Sequence, residues 1–271
     1  MHFQRVFMYA IGFDIMPMLI LTCMVLSAIS NHAHAASDTC KQIVVGGAAG
    51  WEPISYFDSN GHAQGISIDI LRRYTQENNI SLKVHFEIPW NRSIQMLEAG
   101  EIDVMAGAYS TAERAMTFIY SLPYASDDVM VFQHVDRQFS VQNIESLIGH
   151  SGARPQGGSY GDFIDRYAND RLDMIYSPTG NRIFDILMNG RVDYVLLGRY
   201  DGMANVAIDG IEQQVIAIEP PLAVNEVQFM FSRSSPCVPH IARINDLITE
   251  LDRKGQLSEW VALHLPKSNS N

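Results

Sequence analysis

The segment Leu97-Glu98-Ala99-Gly100-Glu101-Ile102-Asp103 returns about 90 positions later as Leu187-Met188-Asn189-Gly190-Arg191-Val192-Asp193. Both spell Leu-x-x-Gly-x-(Ile/Val)-Asp. Both run on into apolar residues, Val104-Met105-Ala106 in one copy and Tyr194-Val195-Leu196-Leu197 in the other. A glycine just past the last apolar helical position is a common helix stop, because it enters the left-handed conformation without steric cost. Each copy therefore reads as a helix, a glycine stop and a strand. One such joint is common in proteins. Two at this separation call for two α/β units of similar build. Asp103 and Asp193 read first as polar strand starts and only second as functional residues.

The flanking sequence agrees with that architecture. Ile43-Val44-Val45-Gly46-Gly47 reads as a buried strand, and 65–78 as a helix entered through Ser67 or Asp69. Residues 81–88 alternate polar and apolar, which predicts a strand. A helix over 91–99, stopped by Gly100, and a strand over 103–107 follow. Strands that alternate with helices predict a parallel sheet with helical crossovers. Val129-Met130-Val131-Phe132 and Val227-Gln228-Phe229-Met230-Phe231 flank the middle third and predict two strands that cross between the units. Residues 240–254 place Ile241, Ile244, Leu247, Ile248 and Leu251 on one helical face. Ser151-Gly152-Ala153-Arg154-Pro155, by contrast, reads as a poor buried strand.

The formal net charge of -11 argues against a nucleic-acid partner, which needs a basic surface. Arg5 precedes an apolar run over 15–26, shorter than the ~20 residues of a membrane span. Ala33-His34-Ala35 then gives a small-x-small cleavage pattern. Residues 1–35 are read as a removed export signal, with a retained N-terminal anchor as the bland alternative; removal places the mature chain in the periplasm. Cys23 leaves with that signal. Cys40 and Cys237 remain, and an oxidising compartment makes them a disulfide pair or, failing that, two separate thiols. The histidines beyond residue 35 are scattered without ligand spacing, so neither a metal nor a cofactor is expected. The tail 267–271 is expected to be disordered.

Two short motifs bear on chemistry. Ser110 followed by Glu113 reads as a capping box at a helix start. Arg114 then falls in the first turn, where the helix dipole disfavours a cation. An arginine there suits an anion site, a planar two-pronged donor beside exposed amides. The bland reading is an ion pair with a nearby Asp or Glu. Gly157-Gly158-Ser159-Tyr160-Gly161 matches Gly-x-Ser-x-Gly, the nucleophile elbow of serine hydrolases, with His240 or His264 to close a triad. Ser159 with Asp162 three residues on reads equally as the opening of a second helix.

An ordered series of landmarks over about 41–265 resembles the bacterial extracellular solute-binding protein family 3, the periplasmic amino-acid-binding type. These are Trp51-Glu52-Pro53-Ile54-Ser55-Tyr56, Gly65-Ile66-Ser67-Ile68-Asp69-Ile70-Leu71, Pro89-Trp90-Asn91-Arg92, Gly100-Glu101-Ile102-Asp103, Thr111-Ala112-Glu113-Arg114, Ser121-Leu122-Pro123-Tyr124, Gln156-Gly157-Gly158-Ser159 and Gly190-Arg191-Val192-Asp193. The resemblance implies an α/β fold of two lobes (type II), joined by two hinge strands with a ligand cleft between them. Lobe 1 would be 41–131 plus 226–266, and lobe 2 would be 132–225.

The resemblance also implies roles. Arg114 would grip a ligand carboxylate, with Thr111 beside it and with Gly158 and Ser159 facing it from the other lobe. Trp51 would cover the ligand, Tyr109 would stand where relatives offer a small polar contact, and Trp90 and Arg92 would face the same cleft. Relatives that bind α-amino acids carry an Asp for the ligand ammonium at the position of Gly198; Asp201 or Glu226 are the substitutes on offer. The implied function is capture of a small carboxylate-bearing solute by a monomer, for delivery to an inner-membrane transporter permease. Two enzyme readings stand beside it: a periplasmic dehydratase of the cyclohexadienyl type on the same fold, and a serine hydrolase through Ser159.

Overall fold

The computed structural model describes residues 40–177 and 182–265, which belong to one compact unit. The export signal and the tail 267–271 lie outside the described residues.

One sheet of eight strands runs through the molecule. Its strands are β1 (Gln42–Gly46), β5 (Ser81–His85), β6 (Val104–Ala108), β7 (Phe118–His134), β8 (Ser151–Pro155), β9 (Asp173–Ser177), β10 (Tyr194–Gly198) and β11 (Val215–Ser232), in the order β5-β1-β6-β11-β7-β10-β8-β9. A small second sheet holds β2 (Gly50–Trp51), β3 (Ser55–Phe57) and β4 (Ala63–Gln64). The outer strands are parallel within each half: β5, β1 and β6 on one side, β10, β8 and β9 on the other. The two long strands between them run antiparallel to their neighbours. Their register shows what they do. Val227 to Ser232 of β11 pairs with the first half of β7 and with β6, whereas Val129 to Gln133 of β7 pairs with β10. The pairing between β7 and β11 slips between Ile218 and Ala223. These strands are the two connections between the lobes, and the apolar segments over 129–132 and 227–231 lie within them.

The helices are α1 (Ile66–Glu77), α2 (Trp90–Ala99), α3 (Ala112–Thr117), α4 (Asp162–Arg171), α5 (Ile183–Met188), α6 (Arg199–Ile208), α7 (Ile241–Arg253) and α8 (Gln256–His264). The repeated joint appears twice as predicted. Gly100 ends α2 at φ 77, and its amide donates to the Leu97 and Met96 carbonyls. Gly190 follows α5 at φ 66, with its amide on the Leu187 carbonyl. Each repeated aspartate ties down the neighbouring parallel strand. Asp103 accepts from the Val44 amide at 2.7 Å, and Asp193 from the Ser151 amide at 2.8 Å.

Three apolar clusters follow from this, the smallest made of Leu97, Ile102, Met105, Ala108, Phe118 and Met230. Ile43, Val45, Ile66, Leu71, Phe229 and Phe231 pack with Ile244, Leu247 and Leu251 from the amphipathic face of α7. Met130, Phe132, Phe184, Leu187, Val195 and Leu197 form the second. Cys40 and Cys237 are joined, with Cα atoms 4.9 Å apart, and tie the chain ahead of β1 to the segment before α7.

Three local readings need correction. Residues 151–155 do form a strand, with Gly152, Ala153 and Arg154 buried. A Cβ on Gly152 would lie 2.4 Å from the Tyr194 ring, so this strand is small because its neighbour is large. The start of α3 is capped one residue later than the spacing suggested. Thr111, in extended backbone, accepts the Arg114 amide, so Ser110 and Glu113 form no capping box. Finally, Ser159 does not open α4. That helix starts at Asp162 behind Gly161, and Ser159 belongs to the preceding loop.

Candidate functional site

The end of β6 and the start of α3 bring Arg114 to the gap between the lobes. Its Nη1 donates to the Tyr109 carbonyl at 3.3 Å, and its Nη2 crosses to the Gly157 carbonyl at 3.2 Å, in the loop after β8. Both acceptors are neutral. Among the described residues no carboxylate lies within ion-pair distance of this guanidinium, although Glu113, Asp162 and Asp165 line the same groove. α3 has only six residues, and the Ala112 amide at its start is already engaged as a donor. The Asp162 carboxylate, from the other lobe, takes it at 3.0 Å. The anion-binding capacity here therefore rests on the guanidinium rather than on a helix dipole.

The facing loop is built by a buried ion pair. Arg154 and Asp165 meet at 2.8 Å, with the arginine side chain 3% exposed. Asp165 also accepts from the Tyr160 amide at 3.0 Å and from the Ser159 hydroxyl. Arg154 donates to the Gly158 carbonyl at 2.9 Å and stacks over Tyr160. This loop needs Gly157: its φ is +77, and a Cβ would collide with Asn91 of α2. Arg114, Thr111, Gly158 and Ser159 thus line one groove of about 710 Å³ between α3 and α4.

A second constellation lies deeper, on β7. Asp127, 1% exposed, accepts from Trp51 Nε1 at 2.9 Å and from the Tyr109 hydroxyl at 2.9 Å, both through Oδ2. Its Oδ1 accepts the Tyr200 amide at 3.2 Å, in the first turn of α6. Burial raises the Asp127 pKa, and these three hydrogen bonds pull it back toward its ordinary value. The Tyr109 phenol is pushed well up by burial and by the Asp127 charge. Trp51 and Tyr109 meet edge to face at 5.5 Å. Gly198 ends β10 against this cluster. A Cβ there would stand 2.4 Å from Asp127 Oδ2 and 3.0 Å from the Tyr109 hydroxyl oxygen.

Asp201, in the first turn of α6, accepts from Asn205 at 2.7 Å. Burial first, and the Asp127 charge second, push its carboxyl up to about 7 against the lowering effect of Asn205; Glu52 adds to the rise. Glu52 is itself raised by burial, and its Oε2 is buried with no hydrogen-bond partner among the described residues.

The expected site residues therefore divide into three groups. Arg114, Thr111, Gly158 and Ser159 come together at the groove. Trp51, Tyr109 and Asp201 gather around Asp127 instead, and Tyr109 links the two places through its carbonyl and its hydroxyl. Trp90 packs on an apolar cluster with Ile94, and exposed Arg92 contacts Gln95 at 3.5 Å along its own helix. Ile94 and Glu98, rather than Trp90 and Arg92, are what α2 presents to the groove. Ser159 is partnered by Asp165, while His240 bonds Tyr74 and His264 bonds Tyr56 and Asp69. That geometry gives the serine no histidine. Sequence reasoning missed Asp127. The polar pair Asp127-Asp128 inside an otherwise apolar crossing strand was the available signal.

No group of three or more His, Cys, Asp or Glu side chains is placed to hold a metal among the described residues, and no helix there is long and apolar enough to cross a membrane. Solved structures similar to this chain include holo ArgBP from T. maritima (TM-score 0.68, 21% identity, covering 81% of this chain and 96% of that one). They also include a histidine kinase sensor domain with similarity to periplasmic binding proteins (TM-score 0.72, 20% identity, 84% and 97% covered). A third is an ancestral amino-acid-binding protein described as a precursor of cyclohexadienyl dehydratase (TM-score 0.68, 16% identity, 83% and 96% covered). At these identities the likeness concerns the fold. Among curated proteins, the membrane-bound lytic murein transglycosylase F of Idiomarina loihiensis is 23% identical over 150 residues, 53% of this chain and 33% of that protein. The amino-acid-binding protein AabA of Dichelobacter nodosus is 27% identical over 96 residues, 35% and 37% of the two chains. This chain thus spans about a third of the length of the curated relatives it matches. The family described as bacterial extracellular solute-binding proteins, family 3, matches residues 43–266, and the chain belongs to that family.

Proposed function

We propose that this protein captures a small carboxylate-bearing solute in the periplasm and delivers it to a transporter in the inner membrane. Membership of a solute-binding family supplies the general role. The observation that carries the finer reading is Arg114, a guanidinium held across the interlobe gap by two neutral carbonyls and by no acid among the described residues. Such a group accepts an anionic ligand without first breaking an ion pair. A charge-assisted hydrogen bond to it is worth about 1.5–3 kcal/mol.

The two lobes, 41–131 with 226–266 and 132–225, close on the solute about β7 and β11. A solute that contacts both Arg114 and the 157–159 loop favours the closed arrangement by its differential contacts. Residues 1–35 act as the export signal, and the mature chain works as a monomer.

The test is a thermal-shift screen with small carboxylates and their uncharged amides. A carboxylate at a thousand times its dissociation constant stabilises the protein by about 4 kcal/mol. Its amide should not. Equal stabilisation by both members would contradict an anion-directed site.

A second reading is an enzyme on the same fold acting on a carboxylate substrate. One observation favours it: Asp201, pushed up to about 7, is a carboxyl suited to giving up a proton near neutral pH. Product formation in the same screen, abolished by D201N, would establish that reading over pure binding.

A further inference from the structure

We propose that Asp162 is a positioning residue for closure, a latch between the lobes: its carboxylate, carried by α4, takes the Ala112 amide of α3 and holds the two walls of the groove together without help from a solute. The proposal rests on the lobes moving about β7 and β11, and not on the reading of Arg114 as an anion grip.

Three contacts cross the gap at this end of the groove. The Ala112 amide donates to Asp162 Oδ2 at 3.0 Å and to its Oδ1 at 3.3 Å. Arg114 Nη2 donates to the Gly157 carbonyl at 3.2 Å. Gly157 lies so tightly against Asn91 of α2 that a Cβ there would stand 2.0 Å from Asn91 Oδ1. In each contact one partner belongs to 41–131 and the other to 132–225. The charges of the walls work against closure. Glu98 and Glu113 line the groove from one lobe, and Asp162, Asp165 and Asp170 from the other. Asp165 is occupied within its own lobe by Arg154, Ser159 and the Tyr160 amide. Asp162 instead turns its charge on a donor of the opposite lobe.

That donor is one α3 leaves open. Thr111 caps the Arg114 amide, and Ala112, at the first helical position, has no carbonyl of its own helix to bond. An acid in the first turn of α4 also suits that helix's own dipole. Substitutions separate the two roles. Asparagine at 162 keeps an oxygen to accept from Ala112 but loses the charge that the dipole favours, whereas alanine loses both. Proline at 112 removes the donor and leaves Asp162 and α4 untouched. The first helical position suits proline, and Thr111 already has the extended backbone that must precede it. The contact is exposed, so it is worth one ordinary hydrogen bond. Its loss changes the ratio of closed to open molecules by about two- to ten-fold.

The experiment is an interlobe distance measurement by double electron–electron resonance on dialysed, solute-free protein. The nitroxides sit on E101C and R171C, at exposed positions of opposite lobes. Cys40 and Cys237 are bonded to each other and take no label. D162A, D162N and A112P are compared with the parent, each checked for an unchanged fold by circular dichroism. The parent should show a short-distance population. D162A and A112P should each lower its ratio to the longer one by at least about two-fold, while D162N keeps most of it. A folded A112P with the parent's distribution, or with more of the short distance, overturns the latch. Equal losses in D162A and D162N, with none in A112P, assign Asp162 to the dipole of α4 and also overturn it. A parent without the short-distance population overturns it whatever the variants do. None of these outcomes bears on Arg114, whose reading is decided by its own titration.

Discussion

Two carboxyls near the cleft, Asp127 buried and Asp201 half-buried, differ in what surrounds them. Asp127 has a donor on every side, so its ionised form is held by three hydrogen bonds. Asp201 has Asn205, and faces the negative charge of Asp127. An acid whose pKa rises on folding adds stability while protonated in the native state, and that stability is lost as pH rises from the unfolded value toward the folded one. For Asp201 that window runs from the ordinary aspartate range up to about 7. D201N removes the titration and keeps the shape. Its melting temperature should therefore exceed that of wild type by more at pH 8 than at pH 5, as followed by circular dichroism. A difference independent of pH would mean that Asp201 titrates normally. Neither acid's role could be read from sequence alone, because each depends on residues distant in the chain. Asp127 fits only because position 198 is glycine, and nothing within β7 announces that.

At the scale of elements, the helix–glycine–strand joint was legible because its determinants are local: apolar periodicity, one glycine and one aspartate. Its aspartates do work that the spacing alone did not assign, since each holds the amide of a neighbouring parallel strand. Asp103 is the more deeply set, accepting also from Ser235 at 2.6 Å. D103A leaves the Val44 amide and the Ser235 hydroxyl without their acceptor, and should cost about 1–3 kcal/mol in urea unfolding. D193A, at a half-exposed joint, should cost less. Equal losses would show that burial does not govern these contacts. β8 was illegible for the opposite reason. Its small residues looked unfit for a core strand, but Gly152 is what admits the Tyr194 ring. The start of α3 was misjudged by one residue because Ser110 and Thr111 are both favoured caps, and the extended backbone at Thr111 places the cap there.

For the molecule as a whole, one bond has unusual reach. Cys40 and Cys237 close a loop of 197 positions, which spans both crossing strands and the entire second lobe. In the chain-entropy account a loop of that length restricts the unfolded state by about 5 kcal/mol, an upper bound. The double variant C40S/C237S should therefore melt well below wild type under non-reducing conditions, and match reduced wild type. The two-lobed outline was accessible from the sequence, since repeated joints and two apolar crossings require little else. What the sequence left open was how the cleft is furnished. Arg114 lines the groove, while Trp51, Tyr109 and Asp127 form a separate cluster that Tyr109 links to it.

The whole account turns on a guanidinium that waits for an anion. The direct measurement is calorimetric titration of R114A and R114K with the tightest-binding carboxylate from the screen. R114A should lose at least about ten-fold in affinity, with R114K in between, while the melting temperature without added solute stays close to that of wild type. An R114A protein that binds the carboxylate as tightly as wild type would contradict it.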